Sequence, residues 1–361
     1  MRMRKMCLLL LILVVSLTLL ISGCGGGNKP TTAKGNDTQG TKSSDVINLK
    51  LHHHEPPGSR LNQALLKWAD EVNQRTGGRV KITLFPGEAL GKGKDTYSIV
   101  TNGIADIGWL PTALMPGKFP LTEVANLPLL GINSSKNGAK IMWELYQTNQ
   151  EVQKEYSEVK LLSIFCSGYQ LIGTAKKPVN KLEDLKGLKL RTGGYGMTEF
   201  LKLMGGSPMN IPPPELYESI EKGVLDGFIF DWQGINSNRL YEVINYAVDV
   251  SVAVIPQVFI MNKQKWDSLP PDIQKIFDEL SGVYVAELVG EQAYDAANQE
   301  GRDYMQKRNK QVRRLTPEEE KQWQEAAKPV WDKWVAEQKA KGLDGQKALD
   351  QILQLVAKYK Q

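Results

Sequence analysis

The sequence predicts an α/β protein built as two similar lobes that face each other across a cleft. Three observations carry this expectation. Short apolar strands alternate with amphipathic helices from Val46 onward, as in parallel sheets covered by helices. One turn recurs: Val100-Thr101-Asn102-Gly103-Ile104-Ala105-Asp106 and Ile220-Glu221-Lys222-Gly223-Val224-Leu225-Asp226 both run helix end, glycine, apolar residue, one more residue, aspartate, apolar strand. Any helix-to-strand join can produce such a turn, but two well-separated copies suit two similarly built lobes. Finally, 361 residues suffice for two lobes of ordinary size.

The chain opens with an export signal, residues 1–23. Met1 to Met6 is basic, and Leu8 to Ile21 is an apolar run too short and wrongly flanked for a settled membrane span. Ile21-Ser22-Gly23-Cys24 resembles the lipobox of bacterial lipoproteins, with Cys24 as the lipid acceptor; the plainer alternative is a secretory signal with an incidental cysteine. Residues 24–45 are rich in Gly, Thr, Ser, Lys and Asn and read as a flexible tether. Loss of the signal would remove three of 45 basic residues, against 40 acidic ones, so the mature chain is close to neutral. Its charge therefore gives no argument for nucleic-acid binding. Beyond Cys7 and Cys24 only Cys166 remains, which leaves no intramolecular disulfide. Cys166 ends an apolar strand and reads as a buried small hydrophobe rather than a catalytic thiol.

The first lobe is expected over 46–166, with 252–295 returning to it. Val46 to Leu51 alternates as a strand, and His52-His53-His54-Glu55-Pro56-Pro57-Gly58 follows at its carboxyl end. Side chains two apart share a strand face, so His52 and His54 suit a polar pocket edge or, less readily, a metal. Ser59 caps a helix whose face is Leu61, Leu65, Trp68, Ala69 and Val72. Val80 to Leu84 is a second strand, and Asp106 to Leu110 a third, ending at Trp109-Leu110-Pro111. Ser134 or Ser135 caps a helix to about Gln147, and Val159 to Phe165 is a strand.

The second lobe is expected over 167–251, with 296–361 packing on it. Leu188 to Leu190 is a short strand with Arg191 at its carboxyl end, followed by the loop Thr192-Gly193-Gly194-Tyr195-Gly196 and a helix opened by Thr198. Ligands of parallel α/β sheets sit at such strand ends. An arginine there suits a carboxylate, because its planar fork donates two parallel hydrogen bonds; a surface ion pair is the plain alternative. Phe228 to Phe230 is a strand that ends at Asp231-Trp232-Gln233. Trp109 and Trp232 thus occupy matched strand ends, either as aromatic walls of a ligand site or as packing beneath the loops.

Val252 to Met261 is an apolar run suited to a strand crossing between lobes. From Asp272 the stripe Ile273, Ile276, Phe277, Leu280 and Tyr284 predicts one long helix reaching toward Lys307 and spanning both lobes. Thr316-Pro317-Glu318-Glu319 starts a further helix carrying Trp323, Val330, Trp331 and Trp334, more suited to core or lobe cover than to a site. A last helix carries Leu349, Ile352, Leu353 and Val356.

Several stretches together resemble the DctP-like solute-binding proteins of TRAP transporters. They are Asp184 to Arg191, Met197 to Leu203, Gly205-Gly206-Ser207-Pro208, Glu215-Leu216-Tyr217, Gly223 to Gly227 and the Gly87 to Lys92 loop. The resemblance covers about Val46 to Lys310. It implies a two-lobed, periplasmic-binding-protein-like fold of type II character and a small organic anion bound in the cleft. It implies delivery of that anion to a small and a large membrane subunit, and it gives Arg191 the substrate carboxylate. Many family members carry a second arginine where Gln170 stands here, so Gln170 would offer a hydrogen bond without the charge. The remaining candidate ligand-binding residues are Trp232, Trp109, Tyr195, His54 and Tyr217. No catalytic residue, metal, cofactor or nucleic-acid partner is implied, and the location is extracytoplasmic, held to the membrane by the lipid on Cys24. One arginine beside a glutamine suggests a monocarboxylate, and two tryptophans a ring or apolar body behind it.

Two other readings stand beside this one. An exported hydrolase or metalloenzyme would need a motif, yet G-x-S-x-G, H-E-x-x-H and a Walker loop are all missing. A binding protein of the ABC or tripartite-tricarboxylate kind would share the two-lobed shape. The Gly187 to Arg191 and Gly223 to Gly227 motifs argue against it.

Overall fold

The computed structural model describes residues 46–359; the expected signal peptide, Cys24 and the expected tether up to residue 45 lie outside them. Among the described residues, eleven strands form two sheets. The first joins β1 (Ile47–His52), β2 (Val80–Phe85), β3 (Ile107–Pro111), β4 (Val159–Cys166) and β10 (Pro256–Asn262) in the order β2-β1-β3-β10-β4. The second joins β5 (Gln170–Thr174), β6 (Lys189–Arg191), β7 (Ser207–Met209), β8 (Gly227–Asp231), β9 (Tyr246–Ala253) and β11 (Gln311–Arg313) in the order β11-β9-β5-β8-β6-β7. Helices cover both, so this is the mixed α/β, two-sheet architecture that the alternating pattern predicts.

The repeated turn does the same work in both lobes. Gly103 and Gly223 take φ of 72° and 75°, the left-handed region where a side chain would be strained. Three residues later Asp106 Oδ2 accepts the Lys50 N–H at 2.8 Å, and Asp226 Oδ2 accepts the Lys189 N–H at 2.8 Å. Each aspartate thereby ties its strand to the neighbouring parallel one, in the registers Leu51↔Ile107 and Leu190↔Gly227.

Two segments cross directly from sheet to sheet, and they hold each other. Ser167 lies between β4 and β5, and Val254-Ile255 between β9 and β10. Ser167 N–H donates to Ile255 O at 2.9 Å, and Ile255 N–H donates to Ser167 Oγ at 3.1 Å. The apolar run Val252 to Met261 therefore does pass between the lobes, but as the end of one strand and the whole body of the next, with a break at Val254-Ile255 just ahead of Pro256.

The long helix expected from Asp272 is divided. A helix over Pro271–Glu279 stops, and Gly282 takes φ of 59°, its N–H bonded to Leu162 O at 2.7 Å. Trp143 packs so close to Gly282 that a Cβ would lie 2.8 Å from its ring, which fixes a glycine at this break. The helical path then runs Val283–Val289, a π-helical turn Gly290–Asp295, and Ala296–Lys307. It backs onto both lobes: Gly290 packs on Ser135 and Gly301 on Trp232.

Two further expectations shift. The helix after Arg191 begins at Tyr195 rather than Thr198, and it buries Met197, Phe200 and Leu201. The last helix, Gly345–Tyr359, does not pack on the second lobe with the rest of 296–361. It lies along Ser135–Thr148, where Lys358 Nζ and Tyr359 OH reach Glu144 and Gln351 reaches Asn149. The helix before it, Pro317–Ala340, starts in a Thr316–Glu319 capping box and buries Trp323, Trp331 and Trp334 as cover. Trp331 Nε1 donates to Pro128 O at 2.8 Å. Among the described residues no helix is long and apolar enough to cross a membrane.

Candidate functional site

The candidate site is built where the carboxyl ends of β6 and β8 approach the carboxyl end of β1. Arg191 closes β6. Its guanidinium carbon lies 4.4 Å over the Phe230 ring, and its Nε lies 3.4 Å from Ile211 O. The residue is only 7% exposed, yet Nη1 is buried without a hydrogen-bond partner. Burial lowers the guanidinium to about 10, against the opposing charge of Asp231, so it stays protonated at neutral pH. A buried, charged donor with no acceptor in the protein makes Arg191 a candidate anion-binding group.

Asp231, last residue of β8, organises the floor of the site. Its Oδ1 accepts the Gly234 N–H at 2.7 Å and caps the helix Trp232–Ser237. Its Oδ2 accepts from Gln170 Nε2 at 3.0 Å across the β5–β8 pairing. Burial raises its carboxyl, while Gly234, Gln170 and Arg191 oppose the rise. Gln170 is fully buried and also donates to Gly168 O at 3.0 Å and Ser167 Oγ at 3.2 Å. Its Oε1 has no partner.

The first lobe contributes His54 and Glu55. The His54 ring stacks on Trp109 at 5.2 Å and 11°, and His54 Nε2 lies 3.8 Å from Glu55 Oε1. Burial lowers His53 and His54 to about 4, so both are neutral at pH 7. Glu55 meets the second lobe beside Gln233 and Asp231; burial and then the Asp231 charge raise it to about 7, and Gln233 opposes this. Tyr294, from the π-helical turn, packs against Gly168 and faces both carboxylates. Among the described residues no group of three or more His, Cys, Asp or Glu side chains is arranged to hold a metal ion. Cys166 is wholly buried, and its thiol is pushed well up by burial.

The structure brings together some of the sequence-derived candidates and separates others. Arg191, Gln170 and His54 lie around this junction. Trp109 lies beneath it, 2% exposed, as the floor under His54 with Phe259 paired alongside. Trp232 is no cleft wall. It is fully buried, donates from Nε1 to Asp249 Oδ1 at 3.0 Å, and is backed by Gly301, where a Cβ would come within 2.3 Å of its ring. Tyr217 lies away from the site, with its hydroxyl on Glu242 at 3.2 Å. Tyr195 lies beside Glu337 of the Pro317–Ala340 helix. Sequence reasoning missed Asp231, Glu55 and Phe230. Asp231 directly follows an apolar run, the signal that singled out Arg191, whereas Glu55 lies beyond the three histidines at the carboxyl end of β1.

Comparison with known proteins identifies the family. The sequence model for the bacterial extracellular solute-binding protein family 7, DctP, matches residues 51–338. A TRAP periplasmic solute-binding protein from Desulfovibrio salexigens superposes with a TM-score of 0.78 at 31% identity, covering 87% of this chain and 96% of that one. A marine metagenome TRAP solute-binding protein specific for aromatic acid ligands, solved with metahydroxyphenylacetate, superposes at 0.81 with 26% identity, covering 87% and 100%. Among curated relatives, the 2,3-diketo-L-gulonate-binding periplasmic protein YiaO of Escherichia coli is 26% identical over 70% of this chain and 77% of its own length. The chain belongs to the DctP family of extracellular solute-binding proteins, the receptors of TRAP-type transport.

Proposed function

We propose that this chain is the extracytoplasmic receptor of a TRAP-type secondary transporter. It binds a small organic acid between its lobes and hands it to the small and large membrane subunits. The buried Arg191 guanidinium with an unpartnered Nη1 carries this reading, because a ligand carboxylate supplies the acceptor it lacks. Two of the three similar proteins named above, the marine metagenome protein and YiaO, bind acids, which supports the ligand class. Ligand contact with both lobes stabilises the closed state by differential affinity, and the paired crossing at Ser167 and Ile255 is the natural pivot. Cys24, within Ile21-Ser22-Gly23-Cys24, anchors the receptor to the membrane through a lipid, and residues 24–45 tether it.

A thermal-shift screen against organic acids tests the reading, since a ligand that binds only the folded state raises the melting temperature by mass action. Stabilisation by one or more carboxylates, and none by their amides, is the expected result. A flat response across the acids would remove the ligand class.

A further inference from the structure

The amide of Gln170 is committed on one side and open on the other. Its nitrogen carries two hydrogens and faces three acceptors: Asp231 Oδ2 at 3.0 Å, Gly168 O at 3.0 Å and Ser167 Oγ at 3.2 Å. Gly168 O is a backbone carbonyl and only accepts, so the amide cannot be turned round to place its oxygen there. The donor capacity of Gln170 is therefore spent inside the protein. Its Oε1, in a residue with no exposed surface, has no partner. A ligand carboxylate would meet this oxygen as a second acceptor and be repelled; a ligand O–H or N–H would satisfy it.

The charges nearby agree. Arg191, Asp231 and Gln170 occupy the adjacent strands β6, β8 and β5, with Asp231 between the other two. Glu55 comes to Asp231 from the other lobe. One guanidinium thus stands beside two carboxylates and a free amide oxygen. A single ligand carboxylate is matched by Arg191, whereas a second would face acceptors.

We propose that the ligand is a monocarboxylate whose body carries a hydrogen-bond donor, a hydroxyl or an N–H, received by Gln170 Oε1 and by the Glu55 carboxylate. This rests on the receptor reading above, with Arg191 on the ligand carboxylate. Gln170 is then a specificity-determining residue: it selects against acids that lack the donor, because binding them leaves its oxygen buried and unpaired.

Titration calorimetry on matched pairs tests the assignment, with propionate and lactate, phenylacetate and mandelate, benzoate and 3-hydroxybenzoate, cyclopentanecarboxylate and proline, and succinate as the dicarboxylate. In at least one pair the donor-bearing member should bind about tenfold tighter or more. That ratio should fall to within about twofold in Gln170→Met and shrink in Glu55→Met. Because the ratio is taken within one variant, a general loss of affinity cancels. Arg191→Ala should weaken both members alike. If pairs bind in an Arg191-dependent way but without preference for the donor, the proposal fails and the receptor reading stands. A preference untouched by both Gln170→Met and Glu55→Met, or succinate binding tighter than every monocarboxylate, also overturns it. Should Gln170→Met not fold, the wild-type ratio and Glu55→Met decide. If nothing in the panel binds, the organic-acid reading falls, and the proposal with it.

Discussion

Arg191 lies with its guanidinium 4.4 Å above the Phe230 ring, and the two residues sit on the adjacent parallel strands β6 and β8. The ring face attracts the cation and blocks water from below, while Gly193 leaves the space against Nη1 and Nη2 clear, where a Cβ would sit 3.2–3.3 Å from the guanidinium. The arginine is held flat, desolvated and short of one acceptor.

Arg191→Ala should therefore weaken binding of the carboxylate found by screening by about 10–100-fold, since each 1.4 kcal/mol is a factor of ten. Arg191→Lys should fall between wild type and alanine, because an ammonium keeps the charge but loses the fork and the stacking on Phe230. Both variants should remain folded, as the guanidinium has few bonds within the protein. Calorimetry checks affinity, and circular dichroism checks folding. Wild-type affinity in a folded Arg191→Ala protein would take Arg191 out of the site.

Trp232→Phe should cost stability rather than affinity. The indole N–H is bonded to Asp249, whose side chain is nearly inaccessible and also takes the Tyr169 hydroxyl at 2.6 Å and Arg302 Nη1 at 3.3 Å. Phenylalanine removes one hydrogen bond to a charged group and part of the packing against Gly301, a loss of about 2–4 kcal/mol. Denaturant unfolding should show this loss, with affinity held within a few-fold. A large loss of affinity at unchanged stability would return Trp232 to the cleft.

The parts of the molecule that were legible from the sequence are those decided within a few residues. Gly103 and Gly223 are needed for their backbone angles, and Asp106 and Asp226 for the neighbouring strand's N–H, so the repeated turn announces both lobes. The place of Arg191 at a strand end was legible because strand, arginine, glycine loop and helix are contiguous. The break at Gly282 was not, since the stripe from Ile273 to Tyr284 runs through it and the cause is Trp143, far back in the chain. Trp232 misled for a related reason. A strand end says which end of the sheet a residue occupies, but the helix Ala296–Lys307 that covers the indole comes much later in sequence. The sequence offers Gln170 as a carboxylate partner, and only the positions of Asp231 and Gly168 show that its nitrogen is already engaged.

Cys24→Ser tests the membrane anchor, which depends on residues ahead of the folded body. The variant should leave the membrane fraction or accumulate with its signal uncleaved. Fractionation followed by mass measurement of the N-terminal peptide checks this. Membrane retention at the processed size would mean that something other than a lipid on Cys24 holds the protein.

Glu55 sets a pH dependence whose direction is fixed. Burial and the Asp231 charge raise it from 4.5 to about 7 in the folded protein. Between those values the folded state keeps a proton that the unfolded chain has released, so stability falls as pH rises through the window and the full cost is present above about pH 7. Every tenfold rise in the proton affinity of the folded state corresponds to about 1.4 kcal/mol, reduced here because a fifth of the side chain remains accessible. Glu55→Gln removes this titration while keeping the shape. The ligand-free variant should be more stable than wild type by on the order of 1–3 kcal/mol at pH 8 and about equal to it at pH 4. Glu155, also raised to about 7 by burial, contributes the same slope to both proteins and cancels in the difference. Urea unfolding at several pH values measures it. Stability curves that run parallel from pH 4 to pH 8 would mean that Glu55 stays solvated and does not press against Asp231 across the lobes.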